Sequence, residues 1–401
     1  MKQLLLTLGS CLLLGACGST EQPTLDGERY AIRMAESEIA RNPSATTLDG
    51  IEAGKVKWNY TTGLELEAIM DVADAYNRPD LYAYALHYYD TIVQPDASVL
   101  TYKKERYNID HICPGRPLFR IADRTGEPRY RQVLDTLYAQ LCTHPRNEDG
   151  GFWHKQIYPN QMWLDGLYMG EPFYAEYAQR YLEGEAYDRA IADIVNQFVR
   201  VAEHTYDPET GLYRHACDVS RQMFWCDPET GRSQHAWGRA MGWYAMALVE
   251  TLQYTGVTPE TQPMVDILNY IYMVLPQYAD PETGMWYQVL DQPGREGNYL
   301  EATGSIMFVY AKLKGVRLGY LPEVLQEEAL QGYEQFVKRF VRENEDGTIS
   351  ITDCCAVAGL GGKESRDGSF AYYISEPIIE NDCKGVGPFI WASMEYDHAT
   401  R

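Results

Sequence analysis

Two aspartates in this sequence stand where a proton donor would be wanted. Asp165 falls in Gln161-Met162-Trp163-Leu164-Asp165-Gly166-Leu167-Tyr168-Met169, beside a tryptophan and at the start of a predicted helix. A carboxyl that donates protons near neutral pH needs partial desolvation, and an indole neighbour supplies it. The plain alternative is a helix N-cap next to a packed Trp. Asp110, in Tyr107-Asn108-Ile109-Asp110-His111-Ile112-Cys113-Pro114-Gly115, also precedes a predicted helix and carries the same two readings. Further polar candidates are His154 and Lys155, after Gly151-Phe152-Trp153, and His215, after Tyr213-Arg214. A lone histidine is more often a structural hydrogen-bonder than a catalyst. In His235-Ala236-Trp237-Gly238-Arg239-Ala240-Met241-Gly242-Trp243, Arg239 and Trp243 stand at i and i+4 and share a helix face beside Trp237. An Arg beside aromatics suits bidentate binding of a carboxylate, with a buried ion pair as the alternative.

Other chemistries lack their signatures. There is no G-x-G-x-x-G, P-loop, G-x-S-x-G or H-E-x-x-H, and the Gly359-Leu360-Gly361-Gly362-Lys363 run has the wrong spacing for phosphates. Beyond Cys11 and Cys17, the cysteines are Cys113, Cys142, Cys217, Cys226, Cys354, Cys355 and Cys383, with no C-x-x-C and no zinc-ligand spacing. They read mainly as small buried apolar residues, with room for one or two disulfides. No metal or cofactor is expected.

The elements that must position these groups are almost all helical. Apolar residues recur at helical spacing near 28–42, 61–76, 80–94, 112–124, 128–143, 166–182, 185–204, 234–255, 260–278, 299–313, 322–340 and 384–399. Those twelve segments make six hairpins. Between them a turn recurs: Asp207-Pro208-Glu209-Thr210-Gly211 and Asp280-Pro281-Glu282-Thr283-Gly284, with looser versions at Asn147–Gly151 and Asn344–Gly347. In each, Asp or Asn opens the turn and Gly accepts positive φ, ahead of a short strand-like stretch. One helix-hairpin unit therefore repeats. The expected architecture is all-α, an (α/α)6 barrel with short β turns at one mouth; an open solenoid would repeat more uniformly.

Composition narrows the partners. The chain has 401 residues, 45% of them hydrophobic, which supports a sizeable core. A formal charge of −22 argues against nucleic acid. The 32 Tyr, 8 Trp and 10 Phe suit either helix–helix contacts or a groove that stacks on sugar faces. At the start, the apolar run Leu4 to Leu14 is too short to span a bilayer. Leu14-Gly15-Ala16-Cys17 then reads as a lipobox. The expected division is a lipoprotein signal peptide over 1–16, a lipid on Cys17, a tether over 17–27 and one catalytic domain over 28–401. Gly18 in place of Asp favours the outer membrane, facing the periplasm. The alternative is an ordinary secretory peptide cut after Ala16.

The Asp165 segment resembles the signature of the unsaturated rhamnogalacturonyl hydrolases, glycoside hydrolase family 105. The stretch from Cys354-Cys355-Ala356-Val357-Ala358-Gly359 through Arg366-Asp367-Gly368-Ser369-Phe370-Ala371-Tyr372-Tyr373, Ser375-Glu376-Pro377 and Asn381-Asp382-Cys383-Lys384-Gly385 carries the resemblance more specifically. It covers nearly the whole chain after the tether. The related family 88 shares fold and chemistry but not this C-terminal pattern. The resemblance implies an acidic oligosaccharide whose terminal uronic acid has a 4,5 double bond left by a lyase. It implies Asp165 as general acid/base and Asp110 as the second essential carboxylate, keeping Asp165 partly protonated by like-charge repulsion. His154 and His215 would line the unsaturated ring, and Trp163 and Trp237 would shape the pocket. Arg239, with Lys155, would hold the carboxylate, and Trp243 would share that face. The rival readings are a glycan-binding lipoprotein and another (α/α)6 enzyme, an inverting glycosidase or an epimerase.

Overall fold

The computed structural model describes residues 25–362 and 366–401. The expected signal peptide, the lipidated Cys17 and the tether as far as residue 24 lie outside the described residues, as does Lys363.

The helices alternate between two rings. In chain order they are α1 (Gly27–Arg41), α2 (Tyr60–Ala75), α3 (Pro79–Ile92), α4 (Pro117–Thr125), α5 (Pro128–Thr143), α6 (Leu164–Tyr181) and α7 (Gly184–Thr205). They continue as α8 (Gly238–Thr255), α9 (Gln262–Val274), α10 (Ala302–Arg317), α11 (Gln326–Phe340), α12 (Phe370–Ser375) and α13 (Cys383–Thr400). The odd-numbered helices α1 to α11 form the outer ring. They bury one stripe each, as α7 does with Ala190, Ile191, Ile194, Phe198 and Val201. The inner ring closes in the order α2, α4, α6, α8, α10, α13 and back to α2, with α4 meeting α6 through Phe119 on Phe173 at 5.2 Å. Apart from the short α4, these helices are buried along most of their length, as α8 is from Gly238 to Leu252. This is the six-hairpin (α/α)6 architecture.

Close approach inside the ring relies on glycine. A Cβ on Gly304 of α10 would lie 2.8 Å from the backbone of Gly238 on α8. At one end the ring is also tied by charge. Arg116 meets Glu250 at 2.7 Å and Glu67 at 3.1 Å, and Lys314 meets Glu250 at 2.6 Å.

All twelve expected helices form, with shifted ends. The segment expected from 112 begins its α-helix only at Pro117, after two tight turns at Ile109–His111 and Cys113–Gly115. Pro114 and Pro117 lack the N–H that a continuous helix would need there. The segment expected from 234 starts at Gly238, because Trp237 is extended and pairs with Val289, and the Ala236 carbonyl that a helix would use accepts instead from Leu290 N–H at 2.9 Å. Helix α12 was not anticipated.

The turn repeat is structural. Gly211 and Gly284 each donate to the carbonyl of the opening Asp at 2.8 Å, and the flanking residues pair as Tyr206 with Tyr213 and Ala279 with Trp286. A third copy, Asp227 to Gly231, has the same bond at 2.8 Å and pairs Cys226 with Ser233. The sequence reading passed over it. Apart from isolated bridges, strand structure among the described residues consists of three antiparallel pairs: β1 (Gln161–Trp163) with β2 (Ala216–Asp218), β3 (Val341–Glu343) with β4 (Ile349–Ile351), and β5 (Cys354–Cys355) with β6 (Ile378–Ile379). The seven cysteines from Cys113 onward are free thiols, five of them buried.

Candidate active site

Each hairpin returns from the outer ring to the N-terminus of an inner helix, so the inner helices begin at one mouth. The expected site residues stand on those beginnings. Asp165 is the second residue of α6, Trp237 and Arg239 flank the start of α8, and Asp110 sits in the tight turns ahead of α4. A ribbon of loop pairings across the mouth sets their register. Asn108 pairs with Lys155, His154 N–H donates to Gln161 O at 2.8 Å, and Trp163 pairs with Ala216. That ribbon brings together residues that are more than a hundred positions apart.

Neither aspartate is a cap. Asn108 caps the turn carrying Asp110, accepting from Asp110 N–H at 3.1 Å. Helix α6 has Trp163 at its N-cap position and no side-chain cap bond. The capping alternative is therefore excluded for both carboxylates.

Asp110 is held by two partners. Lys155 Nζ lies 2.6 Å from its Oδ2 and His154 Nε2 lies 3.2 Å from its Oδ1. Burial alone would push this carboxyl up, but the Lys155 ammonium and the His154 ring outweigh it and hold it well below the usual carboxylate range. The same pair raises Lys155 above the usual lysine value against the opposing effect of burial. Asp110 was expected to repel a proton onto Asp165. Its charge is instead compensated on the spot, so like-charge repulsion from a bare anion is not what this geometry provides.

Asp165 faces His215, with 3.4 Å between Oδ2 and Nε2. The two are not aligned for a hydrogen bond, and both atoms are buried without another partner. The other nitrogen of His215 is 2.7 Å from the Tyr373 hydroxyl, which fixes the ring's orientation.

Aromatic rings wall the pocket. His154 stacks on Trp163 at 4.8 Å and 8°, and Tyr158 lies beyond Trp163 at 5.6 Å and 2°. Trp237 packs on His215 at 4.7 Å, with its indole N–H on Gln288 at 3.0 Å. The structure thus brings Asp110, His154, Lys155, Trp163, Asp165, His215 and Trp237 together.

Arg239 and Trp243 depart from expectation. They share a face as their spacing requires, but that face is turned into the ring. Arg239 is 1% exposed. Its Nε donates to Thr303 Oγ1 at 2.7 Å, its Nη2 donates to the Cys355 carbonyl, and Glu301 lies 3.7 Å away. This is the buried-pair alternative, and the guanidinium is already committed to the protein. Trp243 is wedged between Tyr60 and Tyr168, at 6.3 and 4.7 Å.

Two tyrosines escaped the sequence reading. Tyr60 opens α2, and its hydroxyl feels both Asp110 and Asp165. Burial first, then those carboxylates, push it well above the usual tyrosine value. Tyr373 anchors His215 from the C-terminal stretch. Only the position of Tyr60 at a helix start, next to the capping Asn59, signals it in the sequence.

Known proteins match this arrangement. A family 105 glycoside hydrolase from C. acetobutylicum ATCC 824 is 44% identical, covers 92% of this chain and 99% of its own, and superposes with a TM-score of 0.86. Protein Atu3128 of Agrobacterium fabrum is 37% identical over 235 residues, 57% of this chain and 97% of the relative. The unsaturated rhamnogalacturonyl hydrolase YesR of Bacillus subtilis is 28% identical over 219 residues, 53% of this chain and 59% of that protein. The model of Glycosyl Hydrolase Family 88 matches residues 30–400 and so takes in the C-terminal stretch, which makes the distinction between families 88 and 105 finer than that model draws. The chain belongs to glycosyl hydrolase family 88 in the breadth of that model, on the side occupied by the family 105 enzymes.

Proposed function

We propose that this glycoside hydrolase removes the terminal 4,5-unsaturated uronic acid from oligosaccharides that a lyase has cut from pectin or rhamnogalacturonan. The observation that carries the reading is the buried, unpartnered edge of Asp165 facing His215, beside an Asp110 carboxylate tied to His154 and Lys155. Similarity to the unsaturated rhamnogalacturonyl hydrolase of Bacillus subtilis supports the substrate class.

The residues divide the work as follows. Asp165 gives its proton to carbon 4 of the vinyl ether, and a water adds at carbon 5 while returning a proton to Asp165. The hemiketal so formed opens at the ring oxygen to a ketone. The former anomeric carbon is then a hemiacetal, which releases the remaining sugar and becomes an aldehyde. One water is consumed and Asp165 is restored. No displacement at carbon 1 is needed, so the spacing rule for paired carboxylates does not apply. Asp110 keeps Lys155 and His154 in position. The substrate carboxylate meets the donors that remain: the free hydrogens of Lys155, the Tyr60 hydroxyl and His215 Nε2. Trp163 and Trp237 give the ring its flat walls.

The test is the ultraviolet absorbance of the conjugated double bond in lyase-digested rhamnogalacturonan. Loss of absorbance with release of a deoxy-keto-uronate is expected. Unchanged absorbance on pectin, ulvan and glycosaminoglycan digests alike would overturn the reading.

The lipobox supports a further proposal, that a lipid on Cys17 holds the enzyme at the outer membrane facing the periplasm. Membrane fractions of cells making the intact chain and its Cys17→Ala variant decide it. Equal partitioning of the two would remove the anchor.

A further inference from the structure

Behind the His154–Trp163 stack lies a small cavity of about 10 Å³, lined by Ile109, Phe152, Met162, Leu167 and Val201 with three polar side chains, His154, Glu171 and Gln197. Its volume matches one water, and a water there needs at least two polar partners. Gln197 is fully occupied: its Oε1 accepts from Phe152 N–H at 2.7 Å, and its Nε2 donates to Gly150 O at 3.0 Å and to Asp193 at 3.1 Å. Both carboxyl oxygens of Glu171 and the Nδ1 of His154 are buried without any partner. Glu171 is 1% exposed and projects from α6, two turns beyond Asp165.

The hydrogen-bond roles follow from Asp110. A carboxylate only accepts, so the His154 nitrogen facing it must carry the hydrogen. In the Nε2–H tautomer, Nδ1 is an acceptor in need of a donor. The one unspent polar group across the cavity is the carboxyl of Glu171. Burial holds that group protonated, with Asp193 adding to the shift and Arg146, already paired to Asp193 at 2.5 Å, opposing it.

We propose that Glu171, through a single water in this cavity, donates to Nδ1 of His154 and so fixes the ring in the Nε2–H tautomer that holds Asp110. Glu171 is a positioning residue. It touches no substrate and acts through His154 and Asp110, and its effect on turnover rests on the functional reading above. The carboxyl is an acid serving as a hydrogen-bond donor, and the apolar walls keep it so. No proton is transferred in this arrangement.

The experiment is nitrogen-15 NMR of the histidine side chains in the folded enzyme, with the His154 signals assigned through His154→Gln. Nδ1 and Nε2 shifts report the tautomer directly, whatever the substrate proves to be. Two variants separate the roles. Glu171→Gln keeps an N–H donor facing the water, and Glu171→Leu removes it. The wild type and E171Q are expected to show His154 as Nε2–H, while E171L loses that single form. Turnover should fall about tenfold in E171L, with KM within about twofold, and recover in E171Q, by analogy with the loss when the outer partner of a metal-bound histidine is removed. A His154 that keeps the wild-type tautomer in E171L overturns the proposal, as does one that changes tautomer in E171Q. If E171L folds poorly, Glu171→Met carries the same readout. An inactive wild type would count against the substrate reading alone, since the tautomer result stands by itself.

Discussion

His215 Nε2 stands 3.4 Å from Asp165 Oδ2, and neither atom has another partner. The pairing of Trp163 with Ala216 puts the residue before β2 against the start of α6, so the two side chains meet at the mouth of the ring. Tyr373, held on α12, fixes the imidazole from behind. A buried pair of unspent polar atoms is costly unless a ligand uses it. That cost supports the proposal that this edge, at the mouth beside Asp110, is the reacting one.

Replacing Asp165 by Asn removes the proton and keeps the shape. Turnover should fall by at least about 100-fold, the lower end of what general acid–base catalysis contributes. Circular dichroism and thermal midpoint should stay close to wild type, because Asp165 makes no cap bond and its contact with His215 at 3.4 Å is not aligned as a hydrogen bond. Substantial residual turnover would remove Asp165 from its role.

Asp110→Asn should cost both activity and stability, about 3 kcal/mol of the latter, because it leaves the largely buried Lys155 without its counter-ion. The pH dependence has a definite sign. The folded carboxyl lies below its unfolded value of about 4, so its contribution is full above that pH and is lost as the pH falls through the folded value. Denaturant midpoints of wild type and variant should differ by a constant amount from about pH 5 upward and converge in stronger acid. A gap that widened on acidification would contradict the pairing.

At the charged end of the ring, one guanidinium serves two carboxylates. Burial would raise Glu250, but Lys314 and Arg116 outweigh it and bring it to about 2. For Glu67 burial wins over Arg116 and lifts it to about 8. A raised acid adds stability only below its unfolded value near 4.3, and the contribution drains away as the pH rises to the folded value. Glu67→Gln should therefore gain thermal midpoint over wild type between pH 5 and pH 9, by more at the higher pH. Glu250→Gln should instead lose about 3–5 kcal/mol, since it strands Lys314 and Arg116. Calorimetry of both variants checks the two signs together.

Gly304→Ala probes the ring itself. The new methyl would press on the backbone of Gly238, where no side chain can turn away. Overpacking of this kind costs about 1–3 kcal/mol. The displaced segment carries Trp237, so KM should rise along with the loss of stability. Wild-type kinetics in a destabilised variant would show that the start of α8 tolerates the shift.

The twelve helices were legible because their signal is local: apolar spacing and turn residues act within about four positions. Even there the ends moved where a distant partner intervened, as Val289 and Leu290 do at Ala236 and Trp237. Among the site residues, Asp110, His154, Lys155, Trp163, Asp165, His215 and Trp237 were found by type and neighbourhood. Tyr60 was not, because a tyrosine at a helix start looks like any other until the ring closes on it.

The sequence alone determined the kinds of groups and the helix on which each would ride. Tertiary structure decided their partners. Arg239 binds the carbonyl of Cys355 across 116 residues rather than an open pocket. Asp110 is neutralised by Lys155, and Glu171 is left facing His154 across a one-water cavity. Hydrogen bonds and ion pairs act over about 3 Å. Which groups come that close is fixed only when six hairpins close into a ring, and no window of sequence contains that closure.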